Sequence, residues 1–273
     1  VIRTHELIIE DTLGEDYTAN FINNPDYQFI VVAENLHKAD REAFRQVNEL
    51  HSGLARDGYR SLVALMDDVR RSEPGIRIEV PDIPARVDVD GFAFIEFATR
   101  DEEAAALTAL LRSMGFIHVG NHVSKQVALW QQGDIRIVVN TETTGFANSA
   151  YTMHGTNICD VGLSVASAAD TEQRAVALAA APFSQAVGPG EMEIPAIRSV
   201  GGSVMHFIDE ASGLANVWSV EFQPTGQSAQ ADAGLYRIDH IAETMNYDEM
   251  LSWSLFYSSI FNMRRAVMVD VID

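Results

Sequence analysis

Apolar residues at two different spacings divide the chain into helical and extended segments. Between residues 39 and 71 they recur every three or four positions, interrupted at Gly53 and at Asp57-Gly58, which predicts two amphipathic helices packed as a hairpin. HELIIE and YQFIVVAE, which precede them, have the pattern of two short strands. The segment SEPGIRIEVPDIPARVDVDG holds three prolines and few large apolar residues, which predicts an exposed connector at about residues 73–90.

After the connector one order of elements repeats. GFAFIEFAT has the pattern of a buried strand, residues 101–114 carry a helical stripe, and QVALWQQGDIRIVVNTE predicts two strands joined by a turn at Gly133. The order returns in the strand NICDVGLSVAS, a helix over residues 170–181 and the strands in IPAIRSVGG and SVMHFIDE. A third copy begins at LYRIDHIAE and continues into the helix MLSWSLFYSSIF. The repeat predicts βαβββ modules.

When the copies of the repeat are aligned, two polar residues fall at the same position in the first strand of their modules. FIEF falls on IDHI, and RSMGF falls on SSIFN with about two residues of slippage, so Glu96 and His240 hold equivalent positions. In a module whose strands curl into a half-barrel, alternate side chains of the first strand point into the cup. A polar residue at that point has to be paired, bound to metal or hydrated.

Charge narrows the classes of ligand. Apolar residues make up 47% of the chain and charged residues 21%, and 19 Lys and Arg against 39 Asp and Glu give a formal charge of −20. This excess of negative charge argues against binding to nucleic acid or to a membrane surface. A small-molecule substrate is expected, with homo-oligomerisation left open.

The cysteine content and the ends of the chain indicate its cellular location and whether it is part of a longer polypeptide. Cys159 is the one cysteine, which excludes an intrachain disulfide, a zinc ribbon and a thiol relay, and no basic-then-apolar signal segment opens the sequence. A cytoplasmic location is therefore expected. Because the first residue is Val1 and the last ten have the pattern of a strand just begun, the chain is expected to be a piece of a longer polypeptide.

Four segments carry a family resemblance. GFAFIEFAT, LLRSMGFIHVGNHVSKQVALWQQGDIRIVVNTE, GPGEMEIPAIRSVGGS and LYRIDHIAETM resemble, in order and spacing, bacterial 4-hydroxyphenylpyruvate dioxygenases of the vicinal oxygen chelate superfamily, over about residues 90–273. The resemblance implies an α+β fold of tandem βαβββ modules that form half-barrels. A short α/β segment resembling the end of a TIM barrel would precede them.

Two further segments point to one branch of that superfamily. NYDEMLSWSLFYSSIFNMRRAVMVDVID is similar to the dioxygenase-like C-terminal region of bifunctional bacterial 3-dehydroshikimate dehydratases, in which an N-terminal sugar-isomerase-like barrel performs the dehydration. ARDGYRSLVALMDDV resembles the last helix of that barrel. The implied domains are the end of a barrel (1–75), a linker (76–90), one module pair (91–225) and the incomplete start of a second pair (226–273).

The barrel portion departs from the family pattern. In the dehydratases a strand ending in a metal-binding Glu, within a motif like LEIFND, precedes the last helix, whereas this chain reads VVAENLHKADREAF. Glu34 is a candidate for that ligand, but counting back from Phe44 places Lys38 there, and a protonated lysine cannot ligate a metal. Only some 70 residues precede the linker, whereas a TIM barrel needs roughly 200 or more, so the dehydratase site is incomplete here.

The resemblance also implies a metal site. The dioxygenase family holds Fe(II) through two histidines and one carboxylate, and His240 in RIDHI matches the first histidine, while the matches to the other two would lie beyond Asp273. Internal symmetry transposes the ligand positions onto Glu96, Asp160 and His206, which predicts a second, acid-rich metal site. The alternatives are purely structural: a hydrogen-bonded His240, a locally paired Glu96, an Asp160 that caps a turn, and a packed His206.

Three functions follow from the resemblance. The first is part of a lyase of the 3-dehydroshikimate dehydratase type, which forms protocatechuate with Mg, Mn or Co as the divalent metal. The second is an Fe(II)-dependent oxygenase of the 4-hydroxyphenylpyruvate dioxygenase type. The third is a non-catalytic binding or assembly module.

Overall fold

The computed structural model of the chain describes residues 41–73, 75, 81–227, 233–246 and 249–266, with side chains from residue 53 onward. Backbone contacts divide the chain into two units, residues 1–80 and residues 81–273. The predicted strands HELIIE and YQFIVVAE, together with Glu34 and Lys38, lie outside the described residues. The predicted division into four segments stays a prediction.

The first unit contains one long helix, α1 (Arg41–Ser72), where the sequence predicted a helical hairpin. The prediction of a break at Gly53 and Gly58 was wrong because a glycine inside a helix costs only about 1 kcal/mol relative to alanine and, unlike proline, leaves the hydrogen-bond pattern intact. Ion pairs support the last turn, since Arg70 Nη2 lies 2.7 Å and Arg71 Nε 3.0 Å from the Asp67 carboxylate. No helix in the described residues is long and apolar enough to cross a membrane.

The described part of the second unit is built from one sheet of eight strands together with five α-helices. Its described strands are β1 (Val89–Ala98), β2 (Ile117–His122), β3 (Val127–Gln132), β4 (Ile135–Asn140), β5 (Asn157–Val165), β6 (Ala196–Arg198), β7 (Val204–Ile208) and β8 (Phe222–Pro224). Its described helices are α2 (Asp101–Ser113), α3 (Gly145–His154), α4 (Ala168–Ala177), α5 (Val217–Val220) and α6 (Met250–Ile260).

All eight strands form one sheet in the order β6-β7-β5-β1-β4-β3-β2-β8. The first module, from β1 to β4, is a complete βαβββ unit in which β1 runs parallel to β4. In the second module β5 runs parallel to β7, and an isolated bridge between Pro182 and Ile197 stands where β2 stands in the first. The two modules meet where β1 pairs antiparallel with β5. The predicted α+β fold with tandem modules is therefore confirmed.

The face of the sheet that α2 covers, which we call the helix-covered face, holds a hydrophobic core. Its buried members come from β1, α2, the turn after α2, β3 and β4: Ile95, Leu111, Phe116, Trp130, Ile135, Ile137 and Val139. Since successive strand residues point to opposite faces, Ile95 packs on this side while Phe94 and Glu96 point to the other. The second face is therefore free to form a cup.

Residues 81–88 are packed within the second unit, although the sequence predicted an exposed connector. Ile83 and Val87 are buried, and Val87 forms a parallel bridge with Phe261. The Asn262 N–H donates to the Val87 carbonyl at 2.8 Å. The sequence contains few large apolar residues here, so this packing was not predicted. Two branched side chains and one backbone bridge are enough to hold so short a segment in place.

The third copy of the repeat is formed only in part. Its helix is α6, as predicted, but residues 233–246 contain no strand. Ile238 and Ile241 instead pack against the core on the helix-covered face. A strand needs the backbone groups of a neighbour, and no described strand lies beside this segment.

Candidate functional site

A cavity of about 370 Å³ lies on the face of the sheet opposite α2. Its polar floor comes from four central strands: Glu96 from β1, Asn140 from β4, Asp160 from β5 and His206 from β7. Its apolar walls are largely aromatic, formed by Phe94, Phe146, Phe183, Trp218 and Phe222. Aromatic walls around a few converging polar groups are typical of a small-molecule site.

Strand register explains why the floor residues meet. Glu96 lies directly opposite Asp160 in the antiparallel β1–β5 pair. His206 lies opposite Gly162 in the parallel β5–β7 pair, two residues from Asp160 and therefore on the same face. Residues far apart in sequence thus share one inner surface, as the internal symmetry of the repeat predicted for Glu96, Asp160 and His206.

A β-bulge brings the thiol of Cys159 next to the carboxyl group of Glu96. Glu96 pairs with Asp160 and Phe97 with Ile158, so Cys159 is the extra residue of β5. Its Sγ lies 3.7 Å from Glu96 Oε1 and donates to it. Burial, followed by the nearby carboxylates of Glu96 and Asp160, raises the pKa of the thiol far above its usual range, so Cys159 acts as a hydrogen-bond donor and not as a nucleophile.

Glu96 is a buried acid with a shifted titration. Burial, reinforced by the charge of Asp160, raises its pKa to about 7, although the Asn140 hydrogen bond and the nearby His206 oppose the shift. The Asn140 Nδ2 donates to Glu96 Oε1 at 2.8 Å. Glu96 therefore keeps its proton to a higher pH than an exposed glutamic acid does.

Asp160 and His206 form the charged pair of the floor. His206 Nδ1 lies 2.7 Å from Asp160 Oδ2. Burial would lower the pKa of His206, but the carboxylates of Asp160, Glu96 and Glu221 outweigh burial and raise it. Among the described residues, Asp160 Oδ1 and His206 Nδ1 have no hydrogen-bond partner of suitable geometry, although both are buried. Asp160 therefore pairs with His206 and caps no turn.

The metal-binding role of these residues stays a prediction. Within residues 41–73, 75, 81–227, 233–246 and 249–266, no group of three or more His, Cys, Asp or Glu side chains is placed to hold a metal ion. The sequence thus predicted that Glu96, Asp160 and His206 lie close together, while leaving both a metal-binding and a purely structural role open for them. Asn140, which lies in the floor, and Cys159, which donates to Glu96, were missed because neither belongs to the transposed ligand pattern.

His122 fixes the rim of the cavity, which the sequence did not predict. The backbone N–H groups of Ser124 and Lys125 both donate to His122 Nδ1 at 3.2 Å, so the ring proton lies on Nε2 and points to Glu221 Oε2, 3.1 Å away. Glu221 Oε1 accepts the Met192 N–H at 2.6 Å. His122 and Glu221 are 99 positions apart in the sequence, so no local pattern indicates this contact.

Glu191 holds the loop that closes one side of the cavity. Its carboxylate accepts hydrogen bonds from the Ser124 hydroxyl, the Lys125 ammonium at 3.0 Å and the Gly188 N–H at 2.8 Å. Burial alone would raise its pKa, but these donors lower it to about 2. The loop is thereby tied to the turn between β2 and β3.

Glu191→Gln is expected to destabilise the fold in a pH-dependent way. A folded pKa of about 2, below the ordinary 4.5, means that the stabilisation is fully present above pH 4.5 and is lost as the pH falls toward 2. The substitution should lower the free energy of unfolding by about 2 kcal/mol at pH 7 and by less at pH 3. Urea unfolding at several pH values measures this, with the exposed Glu193→Gln as control. An equal loss at every pH would contradict it.

His240 is placed away from the cup. Its side chain is 79% exposed, and its Nδ1 lies 2.9 Å from Asp239 Oδ2. It borders a separate cavity of about 500 Å³ on the other face of β5, together with Leu163 and Tyr257. The expectation that His240 projects from a strand into a hollow was wrong, because the strand that would fix its direction is not formed.

Known proteins resemble the chain on both sides of the connector. A family model described as hydroxyphenylpyruvate dioxygenase, N-terminal, matches residues 84–223. A 3-dehydroshikimate dehydratase of Pseudomonas putida is 35% identical over 216 residues, covering 76% of this chain and 33% of that protein. A 4-hydroxyphenylpyruvate dioxygenase of Pseudomonas aeruginosa is 32% identical over 188 residues, covering 68% of this chain and 52% of that protein.

One solved structure is also similar to this chain. It is titled a xylose isomerase-like TIM barrel/4-hydroxyphenylpyruvate dioxygenase fusion protein, and it superimposes with a TM-score of 0.70 at 32% identity over 79% of this chain and 35% of that one. The chain thus spans about a third of the dehydratase and of the fusion protein, and about half of the dioxygenase.

Proposed function

Since the chain belongs to the family of hydroxyphenylpyruvate dioxygenase N-terminal domains, we propose that it is part of a 3-dehydroshikimate dehydratase-type lyase with a fused dioxygenase-like region. The whole protein would convert 3-dehydroshikimate to protocatechuate. In this arrangement α1 lies at the end of the dehydrating barrel, and the cup belongs to the fused region.

The proposal rests on how much of the chain each similar protein matches. The residues after Ser72, where α1 ends, make up less than three quarters of the chain. The dehydratase match covers 76% of the chain and the fusion structure 79%, so both must extend back into α1. The dioxygenase match, at 68%, is short enough to fit within the residues after α1 and need not reach into that helix. The dehydratase-type arrangement therefore accounts for more of the chain.

A divalent metal, Mg, Mn or Co, is proposed for the dehydratase. Elimination of water from a hydroxy ketone needs a base that takes the proton next to the carbonyl, and a metal can stabilise the resulting enolate. The described residues do not fit such a metal, because they assemble no three-ligand cluster. No step of the dehydration is assigned to them.

Two other functions compete with this one. An Fe(II)-dependent 4-hydroxyphenylpyruvate dioxygenase is favoured by the family match and would use His240 as a ligand, but the exposed position of His240 supports that role poorly. A non-catalytic binding module is favoured by the formed cavity with its aromatic walls. For the whole protein we further propose a small-molecule substrate and a cytoplasmic location, with homo-oligomerisation open.

Removal of metal tests the proposed chemistry. Full-length protein incubated with 3-dehydroshikimate should form the aromatic product, measured by its ultraviolet absorbance. Treatment with a chelator should reduce the rate by about a hundredfold or more, since a metal contributes several kcal/mol to stabilising an enolate. Re-addition of Mg(II), Mn(II) or Co(II) should restore it. Turnover that survives complete metal removal would contradict the proposal.

A further inference from the structure

We propose that the inner cup binds a small, uncharged ring compound that carries hydroxyl groups, with Asp160 accepting a hydrogen bond from one of them. This site is separate from the dehydration chemistry proposed above. The divalent metal that the sequence pattern predicted for the same residues is the alternative occupant, and the experiments below distinguish the two.

The walls of the cup supply ring contacts. Phe94 and Trp218 meet edge to face with centroids 5.6 Å apart, and Phe183 stands edge to face against His206 at 6.1 Å. Trp218 also stacks on Phe222 at 6.0 Å. These contacts hold the rings in place around a space of about 370 Å³, which is sufficient for a single six-membered ring.

One of the residues that line this space carries an unsatisfied acceptor. The Asp160 side chain is 8% exposed and lines the cavity, yet its Oδ1 has no hydrogen-bond partner in the described part of the chain. A buried carboxylate oxygen without a donor is costly, and buried polar groups in folded proteins are nearly always satisfied. A ligand hydroxyl that donates to Oδ1 would supply the missing partner.

The charges around the cavity favour an uncharged ligand. Asp160 lies against His206, Glu191 against Lys125, and Glu221 against His122, so three anions already have basic partners. A carboxylate ligand would meet this acid-rich surface, and an ammonium ligand would compete with His206 for Asp160. A hydroxyl group both donates and accepts, which suits a floor that offers an acceptor in Asp160 and an acid in Glu96.

The test uses calorimetric titration of the 273-residue chain with four ring compounds. Catechol is expected to bind with one-to-one stoichiometry. Its dimethyl ether, which has no hydroxyl proton, should bind about tenfold more weakly or worse, the effect of losing a hydrogen bond to a charged group. Benzylamine and benzoate, which test charge, should bind more weakly than catechol. Absence of catechol binding, or equal affinity for the ether, would overturn the proposal.

Variants locate the site. Asp160→Asn keeps the shape of the side chain and should weaken catechol binding by about tenfold. Val161→Ala is the matched control, because Val161 is the next residue of β5 and points away from the cup; it should leave the affinity within about twofold. An unchanged affinity in Asp160→Asn, or an equal loss in Val161→Ala, would overturn the assignment.

A measurement on the unmodified chain covers the case of a variant that fails to fold. Amide chemical shifts should change on catechol addition at Ala147, Phe183 and His206, which surround the cavity, and remain unchanged at the α2 residue Thr108. Changes confined to residues outside the cup would overturn the proposal. So would Mn(II) binding that broadens these same signals while catechol leaves them unchanged, since the cup would then be a metal site.

Discussion

Arg174→Met is expected to lower the free energy of unfolding by about 3–5 kcal/mol. Arg174 is fully buried in α4 and donates to three backbone carbonyl groups: Ser259 at 2.7 Å, Ile260 at 3.1 Å and Pro84 at 2.6 Å. Two of these carbonyls lie at the C-terminus of α6, where a cation is favoured. Methionine would fill the space but leave the carbonyls without these donors.

Chemical denaturation followed by circular dichroism measures this loss. Arg174→Lys keeps the charge but cannot reproduce the planar fork of donors, so it should recover only part of the stability. Arg112→Met on α2 is the control, since this exposed guanidinium lies over the Trp130 ring and should cost about 1 kcal/mol or less. Equal effects for Arg174→Met and Arg112→Met would contradict the role given to Arg174.

Gly162→Ala is expected to cost about 2–3 kcal/mol, because a Cβ at this position would overlap the ring of Phe94. The two residues are direct partners in the β1–β5 pair, and the Phe94 ring occupies the space left by the missing side chain. The cost should fall below about 1 kcal/mol when Phe94 is already alanine. Denaturation of the four proteins of this double-mutant cycle measures the coupling.

Gly58→Ala is the matched control for the glycine substitution. No atom lies within 4 Å of a Cβ built at Gly58, which is inside α1. Alanine should therefore be neutral or raise stability by up to about 1 kcal/mol. A coupling near zero between Gly162 and Phe94 would show that the close approach does not determine the cost.

The local pattern of apolar and polar residues was sufficient to predict those strands whose formation depends on residues close together in the sequence. Strands β1, β3, β4 and β5 were predictable from apolar runs with turns between them, and the β3–β4 turn lies at Gly133 as expected. The inner positions of Glu96, Asp160 and His206 followed from the repeat, because equivalent strands in related modules point equivalent residues inward.

Contacts between distant segments could not be predicted in the same way. Arg174 gave a partial signal, since it shares a helical stripe with Thr171, Ala175 and Leu178, but nothing in the sequence identifies carbonyls 85 residues away as its acceptors. The pairing of β8 with β2 places Pro224 opposite Gly120. It could not be predicted, because it depends on the path of the chain after β7. His240 was misplaced because a strand pattern without a neighbouring strand forms no ladder.

The proposal that this chain belongs to a dehydratase-type lyase, and not to a true dioxygenase, is tested by comparing two reactions in one preparation of full-length protein. These are aromatisation of 3-dehydroshikimate with Mg(II) and oxygen uptake with 4-hydroxyphenylpyruvate and Fe(II). We expect rapid aromatisation. Oxygen uptake without any aromatisation would show that the chain is part of a dioxygenase.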